Sequence, residues 1–93
     1  MTGVADVYRA LADPTRRAIL DELQGRDGQT LFELCARLVQ RQDLASTRQA
    51  ISQHLAVLEE AGLVITHREG RYKFHHLDLA PLREIHDRWP LRP

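Results

Sequence analysis

The chain has a single cysteine, Cys35, so no disulfide can close within it and no all-cysteine metal site can be built from one copy. It has one lysine against twelve arginines, and these thirteen bases meet thirteen acids for a formal net charge of zero. Long-range attraction for a polyanion is therefore missing, and the placement of charges has to decide the partner. No apolar run is long enough to span a bilayer, and MTGVADVYRA lacks the charged-then-apolar layout of a secretory signal; no membrane association and a cytoplasmic location are expected. Glycine-rich phosphate loops are absent, no nucleophile sits beside a base, and 93 residues leave little room for a substrate pocket, so no enzyme is expected. No repeat, low-complexity segment or composition shift divides the sequence. Residues 1–93 read as one domain, small enough that dimerisation would help it bury surface.

What is present is mostly helical. Val4, Val7, Tyr8 and Leu11 recur at helical spacing and predict a first amphipathic helix from Val4 to Ala12. Asp13-Pro14, an acidic N-cap followed by proline at the first helical position, opens a second helix to about Leu23, with Ala18, Ile19 and Leu23 inward. Gly25 and Asp27-Gly28 end it. Thr30-Leu-Phe-Glu33 has the form of a capping box and starts a third helix at Leu31, with Leu31, Leu34 and Leu38 facing the core. Gln40 to Ala45 reads as a connector, after which Ser46 or Thr47 caps a fourth helix that ends at Ala61 before Gly62. Leu63–Arg68 and Arg71–Leu77 are strand-like runs around Glu69-Gly70 and predict a β-hairpin. A fifth helix from Leu79 to Trp89 carries Leu82, Ile85 and Trp89 and is stopped by Pro90.

The fourth helix, within TRQAISQHLAVLEEAGLV, has two distinct faces. With Ile51 at zero on a helical wheel, Leu55, Leu58 and Ala61 cluster beside it, and Ala50 and Val57 fall at the edge. Arg48, Gln49, Ser52, Gln53 and Ala56 lie opposite, while Glu59 and Glu60 make the C-terminal end of that side acidic. A helix that reads the major groove uses its N-terminal residues, and the positive end of its dipole favours phosphate, so this division of charge suits duplex DNA. Arginine grips guanine bidentately and glutamine grips adenine; serine serves bases or phosphate. His54 lies toward the packed side and reads equally as a structural histidine or a DNA contact. Arg68, Arg71 and Lys73 surround the hairpin turn, placed to lie along phosphates or to enter a narrow minor groove. The other reading of the same features is a winged-helix protein-interaction module, motivated by zero net charge and by Glu59-Glu60.

The segments ALADPTRRAILDEL, AISQHLAVLEEAGLV and REGRYKFHHL, in this order and spacing, resemble the ArsR-type winged helix-turn-helix transcriptional regulators over Tyr8 to Leu77. The resemblance implies a mainly α fold with a small β-hairpin wing, and a homodimer paired through its first and last helices. It also implies binding to a roughly palindromic operator, usually in repression. Two recognition helices would then sit about one duplex turn, roughly 34 Å, apart. Trp89 is expected as a buried interface anchor, with packing within its own subunit as the alternative. The connector is longer than the ~3–4 residues of a compact helix-turn-helix, so either the third helix runs on or a loop bulges.

Metal-sensing members of that family carry Cys-x-Cys on the third helix. Here the corresponding run is Glu33-Leu34-Cys35-Ala36-Arg37, and a guanidinium replaces the second thiolate, which disfavours a soft cation. Cys35 is expected to be a small buried core residue. His75, His76, Asp78, His86 and Asp87 offer zinc-binding atoms without the spacing of a shared site. Strand alternation also puts His75 and His76 on opposite faces. No metal or cofactor is therefore expected.

Overall fold

The computed structural model describes residues 4–93, in the order α1 (Val4–Leu11), α2 (Pro14–Gly25), α3 (Leu31–Gln42), α4 (Arg48–Glu60), β1 (Val64–Glu69), β2 (Tyr72–Leu77) and α5 (Leu82–Arg88). The inward placement expected of Val4 falls outside the described side chains. Local signals set most helix ends. The Asp13 carboxylate accepts from the Arg16 amide at 3.0 Å, with proline in the first turn of α2. Thr30 and Glu33 form the reciprocal box, Glu33 N–H to Thr30 Oγ1 at 3.2 Å and Thr30 N–H to Glu33 Oε1 at 3.0 Å. Thr47 caps α4 through the Ala50 amide at 3.0 Å. At the other end Gly62 takes φ 77°. The Leu63 amide returns to the Leu58 carbonyl and the Gly62 amide to Glu59, both at 3.0 Å, the paired bonds of a Schellman stop.

Ile19, Leu23, Leu34, Leu38, Ile51, Leu58 and Leu63 are fully buried where α2, α3 and α4 converge, and Val7 and Ala10 of α1 close the core from outside. Leu31 is only half-buried and packs on the rim of this cluster. β1 and β2 pair antiparallel with Glu69 opposite Tyr72 and Val64 opposite Leu77. Gln29 adds a single bridge to β2, its amide and carbonyl bonding those of His75 at 3.1 and 2.8 Å. The start of α3 is thereby fastened to the hairpin edge.

Several boundaries differ from the sequence expectation. α1 ends one residue early, at Leu11, and α2 continues to Gly25. The hairpin loop is Gly70-Arg71 rather than Glu69-Gly70: Gly70 has φ 59°, and glycine at the first of two loop residues suits the type II′ turn that matches strand twist. α5 is confined to Leu82–Arg88 because the amides of Leu82 and Arg83 bond back to Leu79 and Ala80, making a tight turn there. At the connector the first of the two expected alternatives holds: α3 runs on to Gln42, and Asp43 turns the chain in the left-handed region at φ 53°.

The reason for that extension is tertiary. Glu22 on α2 is buried, at 3 % side-chain exposure. It accepts from Arg37 Nε at 3.0 Å and Gln42 Nε2 at 2.8 Å, with Arg41 Nε at 3.2 Å from the same carboxylate. Burial alone would raise its pKa, but the bonds from Gln42 and Arg37 and the charges of Arg41 and Arg37 outweigh that and hold it below the usual value. Three side chains on the last two turns of α3 thus converge on one buried anion, and the final turn cannot unwind without removing two of its three partners.

Candidate nucleic-acid interface

α4 presents the two faces read from its wheel. Ile51, Leu55, Leu58 and Ala61 are buried, Ala50 and Val57 are half-buried, and Arg48, Gln49, Ser52, Gln53 and Ala56 are exposed. The four polar side chains occupy its first two turns, just after the Thr47 cap. Arg48 is exposed at the positive end of the helix dipole, and no ion pair engages it among the described residues. At the acidic end, Glu59 lies 3.9 Å from Lys73 Nζ on β2. This partial neutralisation reduces the repulsion that Glu59 would exert on a phosphate.

The hairpin sorts its side chains by alternation. Val64, Thr66, Arg68, Lys73, His75 and Leu77 share the side that meets the helices, and Ile65, His67, Glu69, Tyr72, Phe74 and His76 share the other. Lys73 therefore reaches α4 rather than projecting from the tip. Arg68 stands across from it and is exposed, and Arg71 is exposed in the loop itself. Of the eight residues singled out by sequence, Arg48, Ser52, Arg71 and Lys73 are brought together along one groove between α4 and the hairpin. Gln49 and Gln53 face outward beside it.

His54 is directed elsewhere. Its Nδ1 lies 3.2 Å from Arg16 Nη1, and a guanidinium only donates, so this nitrogen accepts. The Asp13 carboxylate, 4.0 Å from the same nitrogen, completes the surroundings of a ring turned to the start of α2. Arg16 also donates to the carbonyls of Ala10 and Arg9, both at 2.9 Å, and Arg17 to that of Leu11 at 2.7 Å. Arg16 and Arg17 both cap the C-terminus of α1, and Arg16 also reaches α4 through His54. Sequence reading passed over both, although adjacent arginines one turn into a helix that follows another closely are the available signal.

The histidines separate as alternation requires. His75 is buried, and its Nδ1–H donates to the Gln29 carbonyl at 2.9 Å. Burial holds its pKa below the ordinary value of 6.5 despite that bond, so the ring is neutral. His76 lies on the far side, with Nδ1 3.1 Å from Asp27 and Nε2 2.7 Å from His67 Nδ1. Among the described residues, no three histidine, cysteine, aspartate or glutamate side chains are arranged to hold a metal ion. Cys35 is half-buried at the edge of the core rather than within it. Burial pushes its thiol pKa up against the opposing charge of Arg48.

Residues 11–67 match a family described as a helix-turn-helix domain. The chain is 48 % identical over 90 residues to YuzN of Bacillus subtilis, an uncharacterised HTH-type transcriptional regulator, covering 96 % of this chain and 98 % of that one. It superposes on an ArsR-like transcriptional regulator from Rhodococcus sp. RHA1 with a TM-score of 0.78 at 36 % identity, covering 91 % of this chain and 72 % of the other. The chain belongs to the ArsR-type winged helix-turn-helix regulators. In that family's terms α3 and α4 are the helix-turn-helix, α4 is the recognition helix and β1–β2 is the wing. The transcriptional repressor SdpR of Bacillus subtilis is a further relative, 32 % identical over 79 residues, or 85 % of this chain and 80 % of SdpR. No helix among the described residues is long and apolar enough to cross a membrane.

Proposed function

We propose that this ArsR-type chain is a sequence-specific DNA-binding transcriptional regulator, a repressor that acts as a homodimer on a palindromic operator in the cytoplasm, without catalytic activity or a resident metal. The observation that carries the reading is the outer face of α4, where Arg48, Gln49, Ser52 and Gln53 are all exposed on two consecutive turns at the dipole's positive end. Arg48 and Gln49 are assigned to base edges, Ser52 and Gln53 to bases or adjoining phosphates, and Arg68, Arg71 and Lys73 to the backbone. His54, held by Arg16, acts by orienting α4. Pairing of copies is supported by the opposite end of the molecule. α5 has no buried residue, and Trp89 is 60 % exposed with its ring 6.4 Å from that of Tyr8 on α1. A second copy would cover both.

Selection of bound duplexes from a random pool, followed by titration against salt, tests this. A selected palindrome should bind at about 10⁻⁸ M or tighter at physiological salt, with affinity falling steeply as salt rises. Absent or salt-independent binding would refute it and favour a protein partner for the same face.

A further inference from the structure

The groove that gathers Arg48, Ser52, Arg71 and Lys73 also has an apolar interior. It lies between the first turn of α3, the flank of α4 that carries Arg48, Ser52, Leu55 and Glu59, and the stretch of the hairpin from Arg71 to His75, with a volume of about 630 Å³, within the range of small-molecule sites. Leu31, Leu55 and Phe74 line it. Phe32 and Tyr72 stand at its rim, 68 % and 58 % exposed.

The charges in the groove do not cancel. Its two acids already have partners: Glu33 is held by Thr30 and lies 3.6 Å from Arg26, and Glu59 lies 3.9 Å from Lys73. Arg48 and Arg71 have no carboxylate within ion-pair distance among the described residues. The groove thus offers an aromatic cleft with two uncompensated guanidiniums beside it, and it sits where α4 and the wing would meet DNA.

We propose that this groove is an effector site for a small aromatic acid, whose flat apolar body lies against Leu31 and Leu55 beside the Phe32 and Tyr72 rings at the rim and whose anionic group is held by Arg48 and Arg71. Guanidinium geometry suits a planar carboxylate, and a flat aromatic body suits an apolar floor edged by aromatic rings. Because the same arginines are assigned to DNA, the ligand and the operator exclude each other, and binding of the acid relieves repression. The regulatory half rests on the DNA-binding role proposed above; the binding half does not.

The test uses 8-anilinonaphthalene-1-sulfonate as the aromatic anion and N-phenyl-1-naphthylamine as its uncharged counterpart, with the full chain labelled for amide NMR. The anion should shift the amides of Thr30 to Glu33, Leu55 and Tyr72 to His75. The uncharged compound should bind about tenfold more weakly, the effect of one charge-assisted hydrogen bond. Arg48→Gln and Phe32→Ala, both at exposed positions and checked for an unchanged melt, should each weaken the anion by a similar factor. Shifts confined to Tyr8 and Trp89, or equal binding of the two compounds, would overturn the site whatever the DNA result. In a second arm the anion should displace labelled operator from the wild type, and Phe32→Ala should raise the concentration required. An anion that fills the groove while the operator stays bound would overturn the competition, and a protein that binds the anion but no DNA would overturn the regulatory half alone.

Discussion

Replacing Glu22 with glutamine keeps the volume of the side chain and removes its charge, which makes Glu22→Gln the sharpest probe of how α3 is fixed. The carboxylate is 3 % exposed and meets Arg37 Nε at 3.0 Å, Arg41 Nε at 3.2 Å and Gln42 Nε2 at 2.8 Å. A neutral amide retains one acceptor oxygen and turns an NH₂ toward three donors. Breaking a fully buried pair costs about 3–5 kcal/mol, but here Arg37 is 24 % and Arg41 60 % exposed, so both can recover water and the cost falls to about 2–3 kcal/mol. At ~4–8 °C per kcal/mol for a domain of this size, the melting temperature should drop by roughly 10–20 °C. The assay is thermal unfolding at matched protomer concentration, since dimerisation would make the midpoint concentration-dependent. A double-mutant cycle with Arg37→Gln should give a coupling of about 1–3 kcal/mol, whereas Arg41→Gln, at an exposed position, should cost less than about 1 kcal/mol. A variant that melts with the wild type, or a cycle without coupling, would refute the claim that this anion holds α3 to α2.

Acid should act in two stages. His75 has a lowered pKa in the fold, so the unfolded chain binds more protons, and stability is level above about 6.5 and falls as pH drops below it. Asp13, Glu22, Asp27 and Glu33 all titrate below their ordinary values, and their contribution is lost as pH falls from about 4.5 downward; a pH series of chemical melts should show both limbs, and His75→Gln only the lower. Trp89→Asp should shift sedimentation from dimer to monomer while leaving the far-ultraviolet circular dichroism spectrum unchanged, and an unaltered dimer would exclude Trp89 from the interface. Thr47→Ala removes the bond to the Ala50 amide and should cost about 1 kcal/mol in unfolding free energy, with no loss contradicting the cap.

Features set by neighbours in sequence were legible, and those set by distant partners were not. The Asp13-Pro14 start, the Thr30–Glu33 box and the Gly62 stop each close within a few residues, so the letters carry them. The alternation of the hairpin was readable too, and it separated His75 from His76 correctly. Its turn was misplaced by one residue because Gly70 fits either loop position until the strand register fixes it. The choice between a longer α3 and a bulged loop could not be read because Arg41 and Gln42 are held by Glu22, some twenty residues earlier in the chain. Among the candidate interface residues, exposure on α4 followed from helical period alone. The inward course of Lys73 to Glu59 and the tether of His54 to Arg16 depend on packing. The aromatic groove is likewise tertiary: Phe32 and Tyr72 lie forty residues apart and line one groove because Gln29 pins the start of α3 to β2.

The central claim is that the exposed tip of α4 reads bases while the wing holds the backbone. It is tested most directly by measuring wild type, Gln49→Ala and Arg71→Ala on a selected duplex and on a series carrying each single base-pair change. Gln49→Ala should erase about 1–3 kcal/mol of discrimination at one base pair per half-site and leave the others intact, while Arg71→Ala weakens every duplex alike. If Gln49→Ala discriminates across the series as the wild type does, α4 is not the reading element.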